Sequence, residues 1–193
     1  MYDAVPLEGS ITYADLAAKV NVPEGRLRRV IHYALNNHIF IASGPDSIAH
    51  SATSAEAVLD PFVYGWIEHN VFEVGPAALK VTDAVEKFGD SEEPGHAGAA
   101  LALPVEEGLF FWMENDGVGE PSEEILGGKI VKSDRTKGYR NRRFGAAMHS
   151  MMIGGAHAAA HVNNGFDWEA LGKGTVVDVS FLASLRTKDL VLM

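Results

Sequence analysis

The sequence predicts a mainly α chain that opens with a compact helix-turn-helix and a β-hairpin. Three observations carry this. Apolar residues recur at helical spacing in two segments separated by Asn21-Val22-Pro23. Two short apolar runs then flank Ser43-Gly44-Pro45-Asp46, a turn by composition. The long stretches beyond them again follow a helical period.

The first helix is expected from Thr12 to about Val20, with Thr12 and Asp15 forming a capping signal. Pro23 suits the first turn of a second helix, because it has no N–H to leave unpaired. There Leu27, Val30, Ile31, Ala34 and Leu35 share one face. The runs 38–42 and 47–50 complete a helix, turn, helix, hairpin order, which is the winged-helix pattern. Residues 52–88 read as two more helices. Thr53 or Ser54 is the candidate cap, Asp60-Pro61 interrupts the first, and Gly75-Pro76 separates it from a second ending near Phe88-Gly89.

Residues 89–138 concentrate glycine, proline and acid, and are expected to be a mobile or insert-like segment. Residues 139–163 predict a long helix whose apolar face is Phe144, Ala147, Met148, Met151 and Met152, kinked at Gly154-Gly155. After a short helix to Leu171, Thr175-Val176-Val177-Asp178-Val179 reads as a buried strand. The expected units are therefore 1–88, 89–138, 139–174 and 175–193.

Composition narrows the function classes. The chain has 193 residues, 47% of them hydrophobic, enough for a real core. No apolar run is long enough to span a bilayer, and the N-terminus does not read as a secretory signal. Cysteine is absent, which excludes disulfides and thiolate metal sites and makes the cytoplasm the default compartment. A net charge of −10 disfavours polyanion partners unless basic residues cluster. Arg26, Arg28 and Arg29 do share the second helix, as in a DNA-reading winged helix. The hairpin has no basic residue and contains Asp46, so neither nucleic acid nor membrane is expected as a partner.

Two stretches resemble a known family. One runs from Val5-Pro6-Leu7-Glu8-Gly9-Ser10-Ile11-Thr12-Tyr13 through Asp15-Leu16-Ala17 to Leu27-Arg28-Arg29-Val30-Ile31. The other is Arg143-Phe144, Ala147-Met148, His161-Val162, Gly165-Phe166-Asp167-Trp168, Leu171-Gly172 and Gly174-Thr175-Val176-Val177-Asp178-Val179. Together they are similar to the front portion of fungal S-adenosylmethionine-dependent O-methyltransferases. The resemblance implies a winged-helix and dimerisation unit followed by helices that form a lid over the acceptor. The last strand would open the Rossmann-like cofactor domain, which is expected to be missing. A glycine-rich turn should follow that strand, yet Ser180-Phe181-Leu182 stands there, so no cofactor site is expected. The stretch 117–138 has no counterpart in the family pattern.

The candidate site residues follow. His149 lies among Met148, Met151 and Met152, and histidine is the residue type best suited to proton transfer near neutral pH, so it is the leading general acid or base. The resemblance places these methionines on an acceptor-lining helix, where flexible thioethers suit flat ligands; ordinary core is the alternative. His157 and His161 are four apart and share a helix face. They read as a pocket pair or as packing; no third ligand is evident, so no metal is expected. Phe111 and Trp112, in the run Phe110-Phe111-Trp112-Met113, are candidate pocket wall or core. The expectation is a truncated family member of secondary metabolism that does not transfer methyl by itself. It binds an aromatic or polyketide-like intermediate and catalyses a cofactor-free cyclisation, dehydration or isomerisation. The alternatives are a non-catalytic partner of a full-length methyltransferase or a pathway regulator, and a fragment of an active one. A homodimer or a hetero-oligomer with a related protein is the expected assembly.

Overall fold

The structure is a computed structural model that describes residues 1–106, 108–153 and 158–173. A short 3-10 helix, Tyr2–Ala4, leads into strand β1 (Ile11–Thr12), helix α1 (Tyr13–Val20), helix α2 (Glu24–Asn36), and strands β2 (Phe40–Ala42) and β3 (Ser47–His50). The Thr12 hydroxyl accepts the Asp15 N–H at 3.1 Å and donates to its carboxylate at 2.7 Å, which is the predicted cap. Asn21 closes α1 in the left-handed region at φ 53.

The strands form one antiparallel sheet in the order β1-β3-β2, with Ile11 opposite Ile48 and Phe40 opposite His50. The sequence marked the hairpin but not β1. Val5, Tyr13, Leu16, Leu27, Ile31, Phe40 and Ile48 are buried together. This is a winged helix on its own small core. Val30, placed on the buried face by periodicity, is instead 53% exposed. It sits at the edge of the stripe defined by Leu27, Ile31 and Ala34, beyond the reach of α1 and the sheet.

Helix α3 (Ala52–Leu59) is capped by Ser51, not by Thr53 or Ser54: Ser51 and Ser54 bond each other's backbone N–H reciprocally. Asp60 caps α4 (Pro61–His69), accepting the Phe62 N–H at 2.7 Å, and Pro61 occupies the first turn. The predicted break at Gly75-Pro76 lies elsewhere. A π-helical turn, Asn70–Val74, carries the chain into α5 (Gly75–Ala78), and the separation falls before α6 (Val81–Phe88). Pro76 sits in the first turn of α5, where its missing N–H costs nothing.

The segment 89–138 holds a 3-10 turn (Pro94–His96) and helices α7 (Gly98–Ala102), α8 (Leu109–Asn115) and α9 (Glu123–Leu126). Lys132 ties it back to the start of the chain, donating to the Val58 carbonyl at 2.7 Å and pairing with Asp3 at 3.1 Å. Then come α10 (Tyr139–Ile153), α11 (Ala159–Gly165) and a 3-10 turn (Glu169–Leu171). The predicted kink at Gly154-Gly155 and the strand at 175–179 lie outside the described residues. Among the described residues no helix is long and apolar enough to cross a membrane.

The buried face of α10 differs from the predicted one. Tyr139, Arg143, Ala146 and Ala147 are buried, whereas Met151 and Met152 are each 37% exposed. The face is turned by about a third of a turn around the helix. A hydropathy pattern treats Arg143 as a surface residue. Its partners on α4 and the π turn put it inside.

Candidate functional site

The helical half of the chain is organised by α4 crossing α10. Gly65 permits the approach: a Cβ there would stand 2.7 Å from that of Ala146. Around this crossing lies a cavity of about 220 Å³. Pro61, Tyr64 and Glu68 of α4 form one wall, and Tyr139, Arg142, Arg143 and Ala146 of α10 a second. The segment from Ile125 to Asp134 forms the third. The glycine-rich stretch therefore supplies a wall of this cavity.

Behind the cavity is an ionic centre. Glu73, on the π turn, is 3% exposed. Its carboxylate accepts from Arg143 Nη1 at 2.9 Å, from Arg140 Nη1, and from His69 Nδ1 at 3.2 Å. Arg143 also stands 3.2 Å from Glu68, while Arg140 bonds Asp116 and lies 4.3 Å over the Trp112 ring. Burial alone would raise the Glu73 pKa; the His69 hydrogen bond and the two guanidiniums outweigh it, holding the carboxyl below its ordinary 4.5. Asp134 behaves likewise: burial opposes its ionisation, but Thr136 and Arg142 hold it below its ordinary 3.8. Arg142 reaches one Asp134 oxygen through both Nε and Nη2, at 2.8 and 2.6 Å.

Among the described residues, Trp112 alone of the predicted site residues meets this centre. The His149 ring lies against Phe62 of α4, centroids 3.9 Å apart, but is exposed to solvent. It shares a face of α10 with Arg142 and Ala146. Met148 is half-buried, and Met151 and Met152 are at the surface. Trp112 packs beneath Arg140, whereas Phe111 is 50% exposed. His161 lies exposed on α11, and His157 falls outside the described residues. No described residues group three potential metal ligands. The structure joins His149 to α4 and Trp112 to Arg140, but sets neither against the cavity. The cavity-lining Tyr64, Tyr139, Arg142 and Arg143 were not among the candidate site residues read from the sequence. Their one signal was the spacing of Tyr139, Arg143 and Ala146 by four and three, masked by the two charged arginines between. On the winged helix, Arg28 pairs with Glu24 at 2.7 Å and with Asp46 at 3.0 Å.

The chain matches no protein-family model. It is similar to the O-methyltransferase aoiF of Aspergillus oryzae, 32% identical over 179 residues, 93% of this chain and 37% of that protein. Nearly the whole chain is thus similar to the fungal O-methyltransferases. Other relatives are the O-methyltransferase aunD of Aspergillus niger (29% identical, covering 93% of this chain and 38% of that protein) and VdtC of Byssochlamys spectabilis (26%, covering 92% and 36%). The chain thus spans little more than a third of the length of these O-methyltransferases. A solved structure of OxaC in complex with SAH and oxaline overlaps at a TM-score of 0.47 and 20% identity, over 52% of this chain and 26% of that one, too little to establish a common fold.

Proposed function

We propose that this chain is the acceptor-recognising portion of a fungal O-methyltransferase of secondary metabolism, and that it binds a small aromatic or polyketide-like molecule. The observation that supports it is the cavity between α4, α10 and the segment 125–134, which has two tyrosines and an aliphatic roof in its lining. Ligand sites of this kind are concave, mostly apolar and organised by a few placed polar groups. His149, on the same face of α10, is the group proposed to move a proton for a ligand that extends past Ala146.

The described residues do not fit S-adenosylmethionine. Their one sheet is antiparallel. A glycine turn from a parallel strand into a helix, which lets backbone approach such a cofactor, is not among them. The proposal therefore concerns acceptor binding.

Calorimetric titration of the purified chain with two-ring aromatic ligands tests the reading. Saturable binding that is abolished by Val131→Trp, which fills the cavity from its roof, is the expected result. No binding by any such ligand, or binding unchanged by Val131→Trp, would refute it.

A further inference from the structure

Two donors on the cavity lining have no acceptor among the described residues. Arg143 is 6% exposed, donates Nη1 to Glu73, and approaches Glu68 through Nε. Its Nη2 makes no hydrogen bond among the described residues. No described side-chain nitrogen or oxygen is both sealed from solvent and unpartnered, so Nη2 is reached by solvent, and Arg143 lines the cavity. The Tyr64 hydroxyl likewise makes no hydrogen bond among the described residues. Burial, then the charges of Glu68 and Asp3, raise its pKa above the ordinary 10.0, so it stays protonated and can donate.

Donors that face a cavity are satisfied by water or by a ligand. The acids on the lining do not satisfy these two. Asp134 is occupied by Arg142 and Thr136, and Glu68 meets Arg143 only at Nε. The lining carries Lys129, Lys132, Arg142 and Arg143 against Glu68 and Asp134. The 125–131 wall brings Ile125, Ile130 and Val131, which offer only apolar side-chain surface. About 220 Å³ holds roughly seven waters, or one two-ring molecule.

We infer that the cavity takes a one- or two-ring aromatic carboxylate, whose carboxylate receives Arg143 Nη2 and the Tyr64 hydroxyl while its rings lie under the 125–131 roof. The inference rests on the proposed acceptor-binding reading and adds the polar group that the ligand must carry. A carboxylate supplies two acceptor oxygens and makes charge-assisted bonds with a guanidinium.

The test compares 2-naphthoate with 2-acetylnaphthalene, which keeps the rings and one acceptor oxygen but no charge, by calorimetry at neutral pH. Naphthoate is expected to bind at least about tenfold more tightly. Tyr64→Phe, which keeps the ring beneath Lys132 and removes only the hydroxyl, should narrow that ratio several-fold. Arg143→Lys, checked for an intact cooperative melt, should narrow it further. If the ketone binds as tightly as naphthoate, or if Tyr64→Phe leaves the ratio unchanged in a folded protein, the carboxylate assignment is overturned and aromatic binding stands. If neither compound binds, the acceptor-binding reading falls and this inference with it.

Discussion

Replacing Glu73 by alanine removes the centre of the ionic cluster and leaves its cations in place. The Glu73 side chain is 3% exposed, that of Arg143 4% and that of Arg140 18%. Taking away one partner of a buried ion pair costs about 3–5 kcal/mol, because the other charge stays desolvated. Each guanidinium here keeps a second carboxylate, Glu68 for Arg143 and Asp116 for Arg140, so the cost should lie near the low end, about 3 kcal/mol. For a chain of this length that lowers Tm by roughly 6–12 °C. Urea unfolding followed by far-UV circular dichroism and by tryptophan fluorescence measures it. The double variant Glu73→Leu/Arg143→Leu removes both charges and should cost less than Glu73→Ala, since no guanidinium at position 143 remains to be desolvated. A Glu73→Ala cost below about 1 kcal/mol, or a double variant as costly as the two single ones summed, would refute the claim that Glu73 is the buried counter-ion of this fold.

Other outcomes follow from the same geometry. Gly65→Ala should cost about 1–3 kcal/mol by overpacking the α4/α10 crossing, and Ala146→Gly in the same chain should restore most of it; chemical denaturation of the three variants decides this. Ile31→Ala should cost about 2–5 kcal/mol, whereas Val30→Ala one position away should stay within about 0.5 kcal/mol, which thermal melts separate cleanly. Stability should also fall in acid. The folded Glu73 carboxyl keeps its charge to lower pH than the unfolded one, so its contribution is complete above its ordinary 4.5 and drains away as pH drops from there through the folded value. Glu73→Gln should flatten the unfolding free energy across that window, and an unaltered pH profile in that variant would contradict the assignment.

The winged helix was legible because its signals are local. Thr12 and Asp15 bond each other three residues apart, and Leu27, Ile31 and Ala34 recur at helical spacing. Ser43 and Ser47 close a turn between adjacent strands. The break at Gly75-Pro76 was misplaced for a related reason. Proline and glycine interrupt a helix interior, but a π turn just upstream puts Pro76 in a first turn, and hydropathy has no sign for that.

The candidate site was hardly legible. Tyr64 and Arg143 lie 79 positions apart in the chain and line one cavity only because α4 crosses α10 at a glycine. Lys132 reads as one more charge in a polar loop, yet it lies over the Tyr64 ring and bonds the end of α3.

The sequence by itself determined the mainly α class, the winged-helix order, the starts of α1, α2 and α10 and the family resemblance, because caps, periods and motif order are properties of neighbouring residues. Which face of α10 is buried, and which groups meet at the cavity, was decided by tertiary structure alone. Burying Arg143 is unfavourable until Glu68 and Glu73 arrive from another segment, and no local pattern records their arrival.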